Sequence, residues 1–298
     1  IDAAARAFGG ARHDWLDLST GINPVPYPRP DIPADAWVSL PDQAARDALE
    51  NAARLFWNVP KAAAVLAVPG ASSAIAQIPR LSPAGDVHIP GPTYNEHAAS
   101  FAAAGWRVTE MPTGISASVH VHPNNPDGRQ WHATDMGGRL RIIDESFCDV
   151  TPNATLIAEA TQPGTLILKS FGKFWGLAGL RLGFLIGRLA AMLGPWAVAG
   201  PALTVGTAAL QDTGWADATR ARLEQDADRL DHMVLQNDAR LVGGTSLFRL
   251  YEVAEAAAWQ TKLAHHHIWS RIFPYNSKWL RLGLPGPAGW ARLETALA

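Results

Sequence analysis

The stretch KSFGKFWGLAGLR, residues 169–181, follows the apolar, strand-like run TLIL at residues 165–168. It places Lys173 among Gly, Phe and Trp, with a hydroxyl at Ser170 and a guanidinium at Arg181. Such surroundings desolvate a lysine, which disfavours its charged form and leaves an amine that can attack carbonyls. Arginine suits a phosphate because it offers two parallel donors. An amine beside a phosphate cradle is what pyridoxal 5′-phosphate requires.

Taken alone, the same pattern also fits a strand-to-helix turn with a solvated lysine and a surface arginine. The rest of the chain has to decide between the two explanations. Its 298 residues are 48% hydrophobic and 17% charged, with a net charge of −2, which describes a globular protein with few surface charges. A covered surface, and hence a homodimer, is expected. No basic block is present, so nucleic acid is not expected as a partner.

The chain has one cysteine, Cys148, which excludes an intrachain disulfide and fits a reducing cytoplasm. Residues 189–210 carry no charge and have the length of a membrane span. Pro195 and Pro201, each preceded by glycine, interrupt this segment. We expect it to form buried core or a subunit interface and expect no membrane partner.

Short β-rich runs alternate with helical patterns along the chain. Strands are predicted near residues 64–68, 86–90, 106–110, 118–122, 140–144, 165–169 and 183–187. Helices are predicted near residues 43–57, 71–81, 94–104, 153–161, 207–238, 254–266 and 287–297. The alternation predicts an α/β fold with a mostly parallel seven-stranded sheet, whose ligands bind at the carboxyl ends of the strands.

The chain is expected to divide into three parts. Residues 1–40 form an N-terminal arm that belongs to the small domain. Residues 41–206 form a large cofactor-binding domain, and residues 207–298 form a connecting helix and a small C-terminal α+β domain. The proline-rich stretch at residues 23–33 is expected to be extended.

Four further features follow predicted strands. Gly70, Ala71 and Ser72 open a helix whose free N–H groups can bind an anion, although many strand-to-helix turns look the same. Tyr94 can place its ring over a flat cofactor, or it can be ordinary packing. Asn125 lies in the turn sequence PNNPDG, whose amide can donate to a phenolate oxygen.

Asp144 ends the fifth predicted strand. Such a carboxylate can keep a pyridine nitrogen protonated and so make the ring an electron sink. A helix cap or a loop carboxylate is the alternative. The conjunction of these features with Lys173 is far more specific than any one of them, because they follow successive strands in one order.

In this order the motifs resemble those of fold-type I pyridoxal-phosphate enzymes of the aminotransferase class I/II superfamily. Within it, the segments LDLSTGINP (16–24), DESF (144–147) and WLRLGLP (279–285) resemble the threonine-phosphate decarboxylases of cobalamin biosynthesis. The resemblance covers nearly the whole chain. It implies decarboxylation of a small phosphorylated amino acid, L-threonine O-3-phosphate, with histidinol-phosphate aminotransferase activity as the alternative.

The resemblance also implies roles for individual residues. Lys173 would hold the cofactor covalently and later return a proton to Cα, while Asp144 would face the pyridine nitrogen. Arg281 would bind the substrate carboxylate, Asn23 would lie at the substrate edge, and Arg271 is a candidate for the distal phosphate. The remaining cofactor contacts would come from Gly70, Ala71, Ser72, Tyr94, Asn125, Ser170 and Arg181.

The chain departs from its relatives in three places. Phe147 stands where many relatives have a tyrosine that bonds the phenolic oxygen, and Leu40 stands where many have a tyrosine that reaches across a dimer. An H-G-G-like segment near the substrate phosphate has no convincing counterpart, because residues 8–10 lie too close to the LDLSTGINP segment.

Two other patterns in the chain do not indicate a site. Residues 265–267 are three consecutive histidines, but consecutive helical residues point in different directions, so no metal site is expected there. Glycines 176, 179 and 183 do not have the spacing of a dinucleotide-binding fingerprint. A protein that keeps the fold only to bind a partner is disfavoured by the intact set of Lys173, Asp144, Asn125 and Arg181.

Overall fold

The computed structural model describes residues 1–188 and 196–298, which form two compact units. The large unit comprises residues 27–125 and 129–217, and the small unit comprises residues 1–26, 126–128 and 218–298. This division reflects which residues pack together. The predicted functional domains, 1–40, 41–206 and 207–298, have other boundaries and stay a prediction.

The strands of the described residues are, in chain order, β1 (Leu16–Asp17), β2 (Ala64–Val68), β3 (Asp86–His88), β4 (Arg107–Thr109), β5 (Ala117–Val121), β6 (Leu140–Asp144), β7 (Thr165–Ser170), β8 (Gly183–Gly187), β9 (Arg240–Thr245), β10 (Phe248–Glu252), β11 (Ile268–Trp269), β12 (Arg271–Phe273) and β13 (Asn276–Gly283). Their α-helices are α1 (Asp2–Phe8), α2 (Asp35–Val38), α3 (Gln43–Phe56), α4 (Ala71–Gln77), α5 (Asn95–Ala103), α6 (Gly200–Gln211), α7 (Thr213–Leu235), α8 (Ala256–Ala264) and α9 (Trp290–Leu297).

The large unit is built on a seven-stranded sheet with the order β2-β8-β7-β6-β5-β3-β4. β8 is antiparallel to both of its neighbours, and the other neighbouring pairs are parallel. Each of the seven predicted strand regions contributes one strand to this sheet. The predicted α/β fold with a mostly parallel seven-stranded sheet is therefore confirmed.

The sheet separates an apolar face from a face that carries charged and polar groups. Val119, Ile142 and Leu168 belong to a buried cluster that includes Ile75 of α4 and Phe101 of α5. Because side chains alternate along a strand, their neighbours in sequence point to the opposite face. That face receives buried polar side chains, among them His120 and Lys169.

Two predicted helices are wrong. Residues 153–161 form short 3₁₀ segments, Pro152–Ala154 and Ile157–Thr161, because the Glu145 carboxylate accepts hydrogen bonds from Leu156 N (2.6 Å) and Thr155 Oγ1 (2.7 Å). The single helix predicted over 207–238 is divided into α6 and α7. The division lies at Asp212, whose carboxylate accepts from Trp215 N at 2.9 Å and so caps α7.

The small unit contains a four-stranded antiparallel sheet with the order β12-β13-β10-β9. β1 and β11 pair in parallel beside it as a separate two-stranded sheet. The sequence predicted a small α+β domain in this part of the chain, but it did not predict β12. This strand places Arg271 opposite Arg281 of β13.

In residues 1–188 and 196–298, no helix is both long and apolar enough to cross a membrane. The uncharged segment predicted to form core or interface begins at residue 189, and its first seven residues lie outside the described part of the chain. Its later part forms α6, which buries Leu203, Val205 and Leu210.

Candidate active site

An open cavity lies at the carboxyl ends of β5, β6 and β7 in the large unit. The predicted cofactor residues all line it, which means that the fold brings them together from five separate segments. These residues are Gly70, Ala71, Ser72, Tyr94, Asn125, Asp144, Ser170, Lys173 and Arg181.

Asp144 provides the buried carboxylate of the cavity. Its Oδ2 lies 2.8 Å from Nε2 of His97, and its Oδ1 accepts from Ser146 N (3.0 Å) and Ser146 Oγ (2.5 Å). Burial raises the pKa of the Asp144 carboxyl, but His97 and Ser146 lower it, and the net pKa lies below its usual value. Asp144 is therefore an anion in the site, and an anion can hold a proton on a bound ring nitrogen.

Lys173 provides the amine. It follows β7 by three residues and lines the same cavity, and its Nζ lies 5.2 Å from the centre of the Phe147 ring. Phe147 is buried and has no hydroxyl, so this wall of the cavity is apolar. The amine and the Asp144 carboxylate thus face one space from the ends of two neighbouring strands.

The other end of the cavity presents donors for an anion. Gly70 adopts a φ of +83°, and a Cβ at this position would lie 2.8 Å from Nη2 of Arg181. Glycine therefore allows the guanidinium to approach the backbone where α4 begins. Ser170 adds a hydroxyl at the end of β7. Arginine, hydroxyl and helix-start N–H groups are the donors that phosphates prefer.

Tyr94 and Asn125 lie on two loops that are joined by hydrogen bonds. Thr93 Oγ1 donates to Asn124 Oδ1 at 2.6 Å, and Asn124 Nδ2 donates to Pro92 O at 3.1 Å. Asn124 thereby fixes its neighbour Asn125 and the loop of Tyr94. Burial, Glu96 and Asp144 raise the pKa of the Tyr94 phenol, so the ring remains neutral at the cavity wall.

This donor set fits pyridoxal 5′-phosphate. The cofactor needs an amine for its aldehyde, an anion for its ring nitrogen, donors for its phosphate and a flat wall for its ring. One cavity contains Lys173, Asp144, Arg181 with Ser170, and Tyr94 for these four needs. Any residue other than glycine at position 70 would place a Cβ against the Arg181 guanidinium and displace it.

The three predicted substrate residues belong to the small unit. Arg281 is 7% exposed, donates to Ser19 O at 2.5 Å, and pairs across the sheet with Arg271. Burial and the nearby Arg271 lower the pKa of Arg281 to about 10. Buried Asn23 accepts from Arg222 at 2.8 Å. Two neighbouring guanidinium groups favour an anion with more than one negative charge.

One group of possible metal ligands also lies in the large unit. The donor atoms of His122, Glu145 and Cys148 lie within 4.8 Å of one another. His122 already accepts from Trp131 N (3.0 Å) and contacts Ala154 O (2.7 Å), while Glu145 bonds other side chains. We regard the group as a hydrogen-bonded part of the core. The expectation of no metal site stays a prediction.

Sequence reasoning missed the partner of Asp144. His97 lies three residues after Tyr94, and residues at this spacing share one face of a helix. This spacing could have suggested that His97 also faces the site. Ser146, two residues after Asp144, was missed as well, although serine at this position often bonds a preceding carboxylate.

Comparison with known proteins identifies the family of the chain. The profile of the family "Aminotransferase class I and II" matches residues 34–288. Two relatives named threonine-phosphate decarboxylase are each 40% identical: one from Sinorhizobium sp, where the alignment covers 100% of this chain and 96% of the relative, and one from Pseudomonas aeruginosa, with 99% and 94%.

Among solved structures, histidinol-phosphate aminotransferase from Sinorhizobium meliloti in complex with pyridoxal-5′-phosphate aligns with a TM-score of 0.81. The alignment covers 99% of this chain and 92% of that chain at 16% identity, so it bears on the fold alone. The extent of the family match and the identity to full-length relatives lead to one conclusion: the chain belongs to the aminotransferase class I and II family.

Proposed function

We propose that this chain is a pyridoxal-phosphate-dependent decarboxylase. Its substrate is L-threonine O-3-phosphate, and its products are (R)-1-amino-2-propanol O-2-phosphate and carbon dioxide, in cobalamin biosynthesis. The observation that carries the proposal is the cavity that combines the Lys173 amine, the Asp144 carboxylate and a phosphate cradle. The two full-length relatives named threonine-phosphate decarboxylase support this choice of reaction.

When bound, pyridoxal 5′-phosphate supplies a protonated ring that takes up the electron pair of a breaking bond at Cα. Asp144, kept ionised by His97 and Ser146, holds the proton on the ring nitrogen. Arg181, Ser170 and the N–H groups at the start of α4 bind the cofactor phosphate. Tyr94 would hold the face of the ring, and Asn125 would donate to its phenolic oxygen.

In the reaction the bond between Cα and the carboxylate carbon breaks, and carbon dioxide leaves. A proton must then be added to Cα, and Lys173 Nζ is the acid in the cavity that can donate it. We assign binding of the substrate carboxylate to Arg281, with Asn23 at the substrate edge. Arg271, paired with Arg281 across β12 and β13, binds the substrate phosphate.

The strongest support for a doubly anionic substrate is the arginine pair. Burial and Arg271 lower the pKa of Arg281, which means that the pair lies in an environment unfavourable to two positive charges. A carboxylate and a phosphate would offset both charges. A substrate that lacks the phosphate would leave the repulsion in place, so we expect phosphorylated amino acids to be preferred.

Transamination is the second candidate. It uses the same electron sink, but the bond that breaks at Cα is the one to hydrogen, and Lys173 would carry that proton to the cofactor carbon instead of donating a proton to Cα. A solved structure with the same fold is named histidinol-phosphate aminotransferase. The identity of 40% to full-length decarboxylases makes decarboxylation the better supported reaction.

We further propose that the enzyme acts as a cytoplasmic homodimer. Several large apolar side chains of the large unit are exposed, among them Trp37, Val38, Leu40 and Leu55. An exposed apolar group of this kind favours association with a second copy. The lone cysteine, Cys148, is buried, and burial raises the pKa of its thiol to about 12, which suits a protein without disulfides.

The test is incubation of cofactor-loaded protein with L-threonine O-3-phosphate, with carbon dioxide and keto product measured in parallel. We expect carbon dioxide together with an amine phosphate. Formation of a keto product, with the cofactor left in its amine form, would establish the aminotransferase instead. L-Threonine without phosphate is the matched substrate control, and we expect it to react far more slowly.

A further inference from the structure

We propose that Asp149 is a positioning residue, which acts through Lys169 and Trp175 to hold the loop of Lys173 against the strand end of Asp144. Neither Asp149 nor Lys169 belongs to the cofactor cavity described above. This inference rests on the proposed function, in which Lys173 holds the cofactor. Its test includes measurements that need no substrate.

Asp149 is a carboxylate that is 4% exposed and accepts hydrogen bonds from two tryptophans. Its Oδ1 lies 2.9 Å from Nε1 of Trp57, and its Oδ2 lies 3.2 Å from Nε1 of Trp175. Its Oδ1 also lies 3.5 Å from Nζ of Lys169. The Asp149 carboxylate therefore contacts the residue that follows α3, a residue before Lys173 and a residue after it, namely Trp57, Lys169 and Trp175.

The two contacts within residues 169–181 enclose the reactive lysine. Lys169 precedes Lys173 by four residues and Trp175 follows it by two. Both are fully buried, whereas Lys173 between them is only partly buried. Fixing both flanks at one carboxylate restricts the backbone that carries the amine, which is how rigid positioning contributes to catalysis.

The same cluster reaches the strand end of Asp144. Glu145, the next residue, lies 2.6 Å from Nζ of Lys169, and its N–H donates to Leu168 O at 3.0 Å. Lys169 therefore bridges the carboxylates of Glu145 and Asp149. This ion cluster lies on one face of the sheet. It joins the end of β6, which carries Asp144, to the end of β7, which leads to Lys173.

Aromatic packing sets the direction of the Trp175 indole. Its ring stacks on Phe171 (5.1 Å, 11°) and on Trp215 (5.4 Å, 13°). The indole is fully buried in this aromatic cluster. Its hydrogen bond to Asp149 anchors the ring by its N–H, and we infer that this restricts the backbone that leads from Trp175 back to Lys173.

The cluster also determines the charge of a second amine, that of Lys169. Burial lowers the pKa of Lys169, but Glu145 and Asp149 raise it above the usual value. Lys169 thus stays an ammonium, which cannot attack an aldehyde. Buried ion clusters contribute little stability compared with apolar packing, so positioning of the Lys173 segment is a reason to keep one here.

Two tryptophan variants form a matched test. Trp175→Phe and Trp57→Phe each remove one indole donor to Asp149, but only Trp175 lies in the lysine loop. Four quantities are measured for each: the Tm of the cofactor-free protein, the pH midpoint of the visible band after loading, the site of borohydride-trapped cofactor by peptide mapping, and kcat and KM.

We expect Trp175→Phe to lower kcat about tenfold with KM nearly unchanged, and to shift the pH midpoint of the visible band. Trp57→Phe should lower the Tm of the cofactor-free protein to a similar degree and leave the band and kcat as in the parent. Equal effects of the two variants on the band, or none in Trp175→Phe, would overturn the proposal.

Asp149→Asn gives a second, independent measurement. The amide keeps the size of the side chain but removes the charge next to Lys169 and weakens the hydrogen bond from Trp175, so the pH midpoint of the visible band should shift. An unchanged band would contradict the role of Asp149. Because trapping and the band need no substrate, failure of decarboxylation in the parent protein would count against the proposed function alone.

Discussion

Nε2 of His97 lies 2.8 Å from Oδ2 of Asp144, with the two side chains 1% and 3% exposed. His97 belongs to α5 and Asp144 ends β6, so the contact joins the helix after the Tyr94 loop to the sheet. In a buried place a single polar partner has a large effect on a carboxylate, because little water competes with it. His97 therefore helps to set the charge that Asp144 presents to the cavity.

Replacing His97 tests this relationship. His97→Gln should raise the pKa of Asp144, because the His97 contribution that lowers it is lost. We expect kcat to fall by about tenfold to a hundredfold, as for other residues that orient a site group. The acid limb of the kcat profile should move to higher pH, since Asp144 becomes protonated there. His132→Gln, at an exposed histidine, is the control.

Lys173 is expected to be indispensable. Lys173→Ala should abolish both turnover and the visible band of the loaded protein, because no other cavity side chain supplies the amine in the described part of the chain. Absorbance spectra and product assays measure this directly. Lys61→Ala, at an exposed lysine of the same unit, should behave as the parent. A persistent band in Lys173→Ala would contradict the assignment.

Phe147 offers a gain-of-contact test. Its ring lines the cavity with its centre 5.2 Å from Lys173 Nζ, and a tyrosine at this position would place a hydroxyl in the cavity, where it could bond the cofactor's phenolic oxygen. Phe147→Tyr should tighten cofactor binding by about fivefold, the value of one added hydrogen bond. Equilibrium titration of the cofactor-free protein measures it. Weaker binding would show that the new hydroxyl does not reach the oxygen.

Arg271 is expected to act on the substrate phosphate. Arg271→Gln should raise KM for L-threonine O-3-phosphate about tenfold or more while kcat changes little, because a charge-assisted contact in the bound substrate is lost. Arg240→Gln is the matched control, since Arg240 forms an exposed ion pair with Glu252 in the same sheet. An unchanged KM in Arg271→Gln would remove this residue from the substrate site.

His120 predicts how stability depends on pH. Its ring packs 4.8 Å from Trp131, and neither ring nitrogen has a hydrogen-bond partner within the described residues. Burial, and then His88, lowers the pKa of His120 to about 4. The unfolded chain binds this proton near pH 6.5, so the neutral form stabilises the fold above that pH.

The free energy of unfolding should therefore decrease as the pH falls from about 6.5 to about 4, by up to about 3 kcal/mol from this residue. Denaturant titrations across this range measure it. His120→Phe keeps an aromatic ring against Trp131 and should flatten the dependence, whereas an unchanged slope in this variant would assign the effect to other groups.

The sheet and the cofactor cavity could be predicted because their residues follow a local rule. Asp144 ends an apolar run, Ser170 and Asn125 follow others within four residues, and the carboxyl ends of parallel strands meet at one edge. Lys173 and Arg181 lie in one short segment, so their proximity could be predicted without knowing any contact between distant segments.

What the sequence did not reveal depends on contacts between distant segments. The break at Asp212 follows from a side-chain cap inside an otherwise helical pattern, and the lost helix at 153–161 follows from the distant Glu145 carboxylate. The Asp149 contacts with Trp57 and Trp175 cross 92 and 26 residues, so no local pattern announces them.

The most direct test of the central claim uses L-threonine O-3-phosphate labelled with ¹³C at its carboxyl carbon and incubated with loaded protein in D₂O. We predict equal amounts of ¹³C-labelled carbon dioxide and amine phosphate, with one deuterium at the former Cα, delivered from Lys173 Nζ. Label retained in a keto acid, without release of carbon dioxide, would contradict a decarboxylase and establish transamination.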